Sequence, residues 1–549
     1  MSRNSTGILI TLLWFSCPRT FAQSPAVAPA SSARSPAQSA AFRHIPPDAD
    51  AVYHVDLGAV LSKTSFSALE APFLGSQAIA AEFGSIKSTL QEGIDLHSDL
   101  YLAVSNRYHP DSPKYTTIVF TLMDPDKFIA HLRSQVRALR APDGASPLPH
   151  GQGQVFTSSD LAVAWDQRHA VLVTREASHS SLKSFGIDVI RDINYRRALA
   201  AWRGYPNSYF MTDPDFRKAF SEKADAHIWN RHSSSFAALG EALRLTPLGA
   251  HLSGLYRGVE ETREHNIGIL RFDTGKISYR HISLTTPQKA ASITRLVNPR
   301  FDSTLVTGAP FGNIIGAATF HFDPALLLDT LGKLKELLFR QKGLTLQDMS
   351  AALKGDCLLL AYDASADQHS AETIQMPDVF AVFSVRDTAA FRRSASYYRL
   401  TDAATAPDVD SSFNTPFHYY AVQNDIAVVT TTPAMARNYF SYSASASHPT
   451  GRVLSKEMQN GSFSLGLDMG MFSDFFISLT KGKDATTIEK ARNLAAVYRK
   501  MGVFTVSAGH VIGNTVVTDF DLTLADPKKN GLAGLLEIFT GIMSIVNNR

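Results

Sequence analysis

Two short runs share a histidine and an aspartate one residue apart, His54-x-Asp56 and His321-x-Asp323. Each closes a β-rich stretch, so its two side chains would project from one face of a strand. An imidazole and a carboxylate placed that way are metal ligands or a proton relay, the equipment of a metal-dependent hydrolase. A catalytic metal normally takes three protein ligands, and no third ligand of suitable spacing accompanies either pair. The aspartates also have a local task. A helix start leaves amide groups without partners, and a short side-chain oxygen at the junction accepts from them. Pro324, directly after Asp323, sits where a missing amide costs nothing. The histidines then read as residues on the wetter face of a sheet. The expectation is no catalytic residue, no cofactor and no metal, with His54, Asp56, His321 and Asp323 held as the metal-site alternative.

Other chemistry is harder to find. No glycine triplet of nucleotide-binding spacing follows a strand, and Thr274-Gly275-Lys276 lacks the leading glycine of a phosphate loop. Ser-x-x-Lys occurs at Ser180/Lys183 and Ser478/Lys481 without the companion motifs of a penicillin-recognising enzyme. Cys357 opens the apolar run Cys357-Leu358-Leu359-Leu360 and reads as a packed thiol.

The elements that would position these residues form a pattern that recurs. Ala51 to Asp56, followed by helical Leu57 to Lys63, is echoed by Ala318 to Asp323, followed by Pro324 to Leu338. The plain strands at Asp99–Val104 and Asp356–Ala361 correspond, as do Ile118–Asp124 and Phe380–Asp387. Ser159-Asp160-Leu161-Ala162-Val163 pairs with Asn424-Asp425-Ile426-Ala427-Val428, and Ala226–Asn230 with Ser464–Asp468. The fold class expected is α+β: two tandem copies of a mixed or antiparallel sheet domain with helices on one face. The first α+β repeat spans 42–286, with an insertion near 182–216 that carries Trp202, Tyr205, Tyr209 and Phe210. These aromatics are the candidate partner-contact surface. A linker at 287–312 leads to the second repeat at 313–530. An amphipathic helix over 531–549 then docks on the second copy, its apolar face interrupted by Glu537.

The amino terminus reads as an export signal. Arg3 precedes an apolar stretch from Ile8 to Phe15, and Thr20-Phe21-Ala22 offers small residues where a signal peptidase cuts. Residues 1–22 are the signal peptide, and the Pro/Ala/Ser-rich 23–41 is a flexible tether. Cys17 raises the alternative of a lipid anchor, although Trp14 and Phe15 crowd the position where a lipobox wants an aliphatic residue. Of 549 residues 44% are hydrophobic and 19% charged, the make-up of a globular protein too long for one core. The net charge of +3 gives no field for nucleic acid, and the apolar runs give no transmembrane helix.

The opening His44-Ile45-Pro46-Pro47-Asp48-Ala49-Asp50-Ala51-Val52, running into Val55-Asp56-Leu57, resembles the start of an uncharacterised family of exported Bacteroidota envelope proteins, many of them lipoproteins. The resemblance would cover both copies. It implies a protein of the periplasm or outer membrane and assigns no catalytic residue to any position. Together these readings predict a non-enzymatic exported envelope protein, a binding or scaffold module for a protein partner or an apolar ligand.

Overall fold

The computed structural model describes residues 40–64, 93–105, 113–135, 145–147, 153–158, 161–176, 187–231, 265–296, 301–302, 304–307, 314–321, 323–324, 351–362, 378–397, 399–406, 418–441, 463–480 and 482–547. The signal peptide, nearly all of the tether, Cys17, Ser159, Asp160 and 325–338 lie outside them. The chain is α+β, with large and mostly antiparallel sheets. It divides into two compact units. One takes Met1–Ser234, Arg263–Ile277 and Lys529–Arg549, the other Ser235–Thr262 and Ser278–Lys528.

In the first unit β1 (Ala49–Asp56) runs between β2 (Asp99–Ser105) and β8 (Ala226–Asn230), antiparallel to both. Outward from β2 come β3 (Lys114–Thr121), β7 (His169–Glu176), β6 (Leu161–Trp165), β5 (Gln154–Thr157) and β4 (Ala145–Pro147), all antiparallel. Beyond β8 lies β9 (His265–Asp273). It is β7, not β6, that borders β3.

Helices cover both faces of this sheet, not one. Phe128 of α2 (Pro125–Gln135) meets the Phe120 ring edge-on at 5.1 Å. Arg197 of α3 (Ile187–Arg203) lies 4.1 Å above the Tyr115 ring. Tyr115 and Phe120 are five apart on β3 and so project to opposite faces. With both faces covered, β1 is buried at nearly every position, and the wetter face predicted for the histidines does not exist there. Residues 187–216 supply much of that cover. Ile190, Asn194, Ala198 and Ala201 are buried along one stripe of α3, which packs on β5, β6 and β7. The short α4 (Tyr209–Thr212) and α5 (Pro214–Phe220) then bury Phe210, Phe216 and Phe220 against Trp229 and Phe42.

The C-terminal helix Gly531–Asn547 belongs to this unit, packing on β9 and on α1 (Leu57–Lys63). Docking on the second unit, read from its amphipathic pattern, is corrected. The reason is a close approach: a Cβ on Gly531 would stand 2.4 Å from the Lys276 carbonyl and 2.8 Å from that of Asp273. Only glycine lets the helix start there. Glu537 forms an ion pair with Lys529, which explains a charge on a docked helix. Among the described residues no helix is long and apolar enough to cross a membrane.

The second unit holds β11 (Ile314–His321) between β12 (Leu353–Tyr362) and β17 (Phe463–Asp468). From β12 the order continues to β13 (Asp378–Val385), β16 (Ile426–Thr430), β15 (Tyr419–Gln423) and the two-residue β14 (Thr401–Asp402), whose pairing is parallel. From β17 it continues to β18 (Met501–Ile512), β19 (Thr515–Leu524) and β10 (Lys276–Leu284). Again both faces are covered. Phe380 and Val382 of β13 pack with Tyr439 of α9 (Pro433–Ser441). Ala381 and Val385 pack with Phe391 of α8 (Thr388–Tyr397). The stretch read as a linker is partly core: α6 (Pro287–Leu296) and α7 (Thr304–Thr307) fall within it, and Leu305 is fully buried beside Tyr439. Finally, α10 (Met469–Ser478) and α11 (Ala485–Tyr498) pack on each other, each capped by an aspartate, Asp468 and Asp484.

Candidate functional site

The paired histidines and aspartates separate into different roles. Asp56 caps α1, its Oδ1 accepting from the Ala59 amide at 2.8 Å. Burial raises its pKa above the usual carboxylate range, and the nearby Asp99 and Asp225 push the same way. Serine at this position should preserve the cap, whereas Asp56→Ala should cost about 1 kcal/mol. Hydrogen exchange of the α1 amides would read the difference, and equal protection in the two variants would remove the capping role.

His54 hydrogen-bonds to Asp99 and His227. On β1 it stands opposite Tyr101 of β2 and His227 of β8. Its Nδ1 lies 3.1 Å from His227 Nδ1, and its Nε2 lies 2.8 Å from Asp99 Oδ1. The other nitrogen of His227 reaches the Glu222 carbonyl at 3.0 Å. A carbonyl only accepts, so His227 Nε2 carries a hydrogen. Burial, then the charge of His54, holds His227 well below the ordinary imidazole pKa. Neutral His227 therefore offers a lone pair at Nδ1, and His54 Nδ1 donates to it. The remaining contact, His54 Nε2 to Asp99, needs one proton between a nitrogen and a carboxylate. The three side chains thus form one continuous hydrogen-bonded chain across β8, β1 and β2, with His54 only 1% exposed and His227 0%.

A second buried charge braces the same strands. Asp225, just before β8, accepts from Lys63 Nζ at 2.6 and 2.7 Å and from the Phe272 amide at 2.6 Å. Nearby, Arg271 donates to Glu222 Oε2 at 2.7 Å. His44 also stays neutral. Burial lowers its pKa to about 4, while its Nδ1 donates to the Ala201 carbonyl at 2.8 Å.

These neutral histidines set a pH dependence. Their folded pKa values lie below that of an unfolded imidazole, so the unfolded chain binds protons first. The stability they support is complete above about pH 6.5 and declines below it, by at most about 1.4 kcal/mol per pH unit for each histidine. Urea unfolding of the first unit at pH 7.5 and pH 5 should show this loss, reduced in His227→Gln. A flat profile would contradict the assignment.

In the second unit His321 meets a different partner. It pairs in register with Asp356 of β12 and forms a hydrogen bond to that carboxylate through Nδ1. Its Nε2 is buried with no hydrogen-bond partner among the described residues. In the first unit the register neighbour of Asp99 is Asp56, not His54. The two His-x-Asp runs therefore do not occupy matching ladder positions, and Asp323 lies beyond the end of β11. The aspartate that each histidine does meet, Asp99 or Asp356, lies on a neighbouring strand. Among the described residues no three His, Cys, Asp or Glu side chains form a metal-binding group. What these clusters do is tie neighbouring strands together.

The aromatic group divides too. Phe210 is 0% exposed and part of the core, which removes it as a contact residue. Trp202 and Tyr205 are half-buried. Burial pushes the Tyr205 hydroxyl up to about 12. The side chain of Tyr209 lies outside the described residues. The second unit also has a cavity of about 320 Å³ where β14 and β15 meet α8 and α9, lined by Arg392, Asp402, Val422 and Arg437 among others. The two arginines that line it belong to no motif and had no signal in the sequence.

No family model and no curated protein matches the chain. Among solved structures, crystal form IV of TP0453 is similar at 12% identity and a TM-score of 0.24, over 47% of this chain and 85% of that one. Crystal form III gives 9% identity and a TM-score of 0.25, over 48% and 88%. TM-scores this low do not establish a common fold.

Proposed function

We propose that this chain is an exported protein of the periplasm or outer membrane, built from two tandem copies of one α+β domain. It acts as a non-enzymatic binding or scaffold module for a protein partner. The observation that carries the duplication is the shared strand order. In each unit the first strand of a consecutive pair lies mid-sheet (β1, β11). The second (β2, β12) flanks it on one side, and the strand after a long crossing (β8, β17) flanks it on the other. A register shift near the start of each mid-sheet strand, at Ala49/Ala51 and Ile314/Gly316, adds to the likeness. Support for the binding role comes from the polar chemistry. The histidines of both clusters are buried, His54 to 1% and His321 to 3% exposure, while the cavity rimmed by arginines lies beside β14 and β15.

Affinity capture from envelope extract on the purified full chain, followed by rebinding of each captured protein in pure form, tests the role. One partner that rebinds with saturable affinity is expected. If none rebinds, the binding-module reading falls. Fractionation of the native host tests export, and recovery in the cytosol would overturn it.

A further inference from the structure

We infer that the segment from Gly204 to Asp225 is an acid-released strap over the aromatic core of the first unit, latched at Glu222 by the side chain of His227. This goes beyond the binding-module reading and does not rest on it. The segment ends in two different joints. At its start Gly204 follows α3 with a φ of +84°, a conformation glycine adopts without strain, and the chain turns away from the helix there. At its end Asp225 is fixed by the Lys63 ammonium and the Phe272 amide. The short helices α4 and α5 are the regular structure between them. The inner side of the strap is aromatic, with Phe210, Phe216 and Phe220 all 0% exposed. Phe220 stacks on the His227 ring at 5.1 Å and Phe216 on Phe42 at 5.7 Å, while Arg217 and Lys218 are exposed. His227 and Trp229 are alternate residues of β8, so both lie on the face that the strap covers.

Polar ties hold the strap down just before β8. The Glu222 carbonyl accepts from His227 Nε2 at 3.0 Å, the Lys223 carbonyl from Arg271 Nε at 2.9 Å, and the Glu222 carboxylate from Arg271 Nη2 at 2.7 Å. The imidazole is the tie that answers to acid. Its Nδ1 accepts from His54, whose Nε2 meets Asp99. Each of the three contacts between the Glu222 carbonyl and Asp99 takes one hydrogen. A further proton on His227 would set N–H against N–H across 3.1 Å, and the charges of His54 and Arg271 both oppose it. The carboxylates on the described elements around the ring have partners of their own. Asp99 of β2 meets His54, Glu222 meets Arg271, Asp225 meets Lys63, and Asp56 of β1 caps α1. His44 lies at the other joint, bonded to the Ala201 carbonyl of α3. Closed, the latch refuses a proton that a freed imidazole accepts below about pH 6.5. Each pH unit below that value therefore favours the open strap by about tenfold.

Hydrogen exchange on the full chain, corrected for the intrinsic pH dependence of the reaction, tests the strap. Between pH 7.5 and pH 5 the protection of residues 205–221 should fall by about thirtyfold. Protection of β3, in the same unit, should stay well above that of the strap at both pH values, because the opening is local. His227→Gln puts a side chain that takes no proton in place of the imidazole, and its strap protection should be flat with pH. Glu222→Gln leaves the carbonyl in place and should keep the acid response, as should His44→Gln. A response that persists in His227→Gln, or vanishes in Glu222→Gln or His44→Gln, overturns His227 as the latch. Two outcomes in the native chain, which need no variant, overturn the strap itself: unchanged protection of residues 205–221, or equal protection of strap and β3 at pH 5, which would mean that the unit opens only as a whole.

Discussion

Asp225→Ala is expected to destabilise the first unit by about 3–5 kcal/mol, the cost of stranding one member of a buried ion pair. The Asp225 side chain is 3% exposed, against 25% for Lys63. Its two oxygens satisfy the Lys63 ammonium and the Phe272 amide together. Removing the carboxylate leaves an ammonium half out of water and a buried amide without an acceptor, and the two penalties fall at the junction of α1, β8 and β9. A side-chain amide in the same place would still accept from Phe272 but could not neutralise Lys63, so Asp225→Asn should lose somewhat less. A double variant that also replaces Lys63 with methionine should recover much of the loss. A chain with two compact units need not unfold in one step. The measurement is therefore amide exchange in β8 and β9, and unchanged protection in Asp225→Ala would refute the account.

Trp229→Ala should cost a comparable amount, about 3–5 kcal/mol. The indole is fully buried. The Phe210 and Phe216 rings meet it edge-on at 4.8 and 5.9 Å, and the His265 ring stacks on it at 5.5 Å. Truncation opens a cavity among rings that rigid α4 and α5 cannot fill. Trp229→Phe should retain most of the stability, because a ring still occupies the centre. The same exchange experiment on β1 and β8 separates the two. Equal loss in the Phe and Ala variants would place the contribution outside ring packing.

How much of this was legible from the residues follows their physical range. Asp56 and Asp468 were readable as caps because a cap is settled within three residues, and both accept from the amide three ahead. The partners of His54 were not. Asp99 is 45 residues away and His227 is 173 away, and no local spacing encodes a contact made across strands. The placement of helices was ambiguous for a different reason. In β3, Thr116 and Thr117 are adjacent, face opposite ways and are both buried, so alternation could not mark a wet face. Phe210 read as part of a contact patch because it sits in a stretch that the repeat pattern gives only to the first half, whereas its ring is fully buried. In the fold that stretch is the lid of the first core. For the C-terminal helix, amphipathicity announces docking but not the acceptor; the choice depends on Gly531 meeting two carbonyls.

Cys357 lies 8% exposed on β12, and burial, followed by the charge of Asp356, pushes its thiol up to about 12. Only the thiolate reacts with alkylating or oxidising reagents, so the native molecule conceals its one described sulfhydryl from both. Labelling then proceeds through molecules in which the packing over the Cys357 face of β12 has opened. The rate at which a thiol reagent modifies Cys357, followed at that residue by mass spectrometry, then becomes a clock for local opening of the second unit.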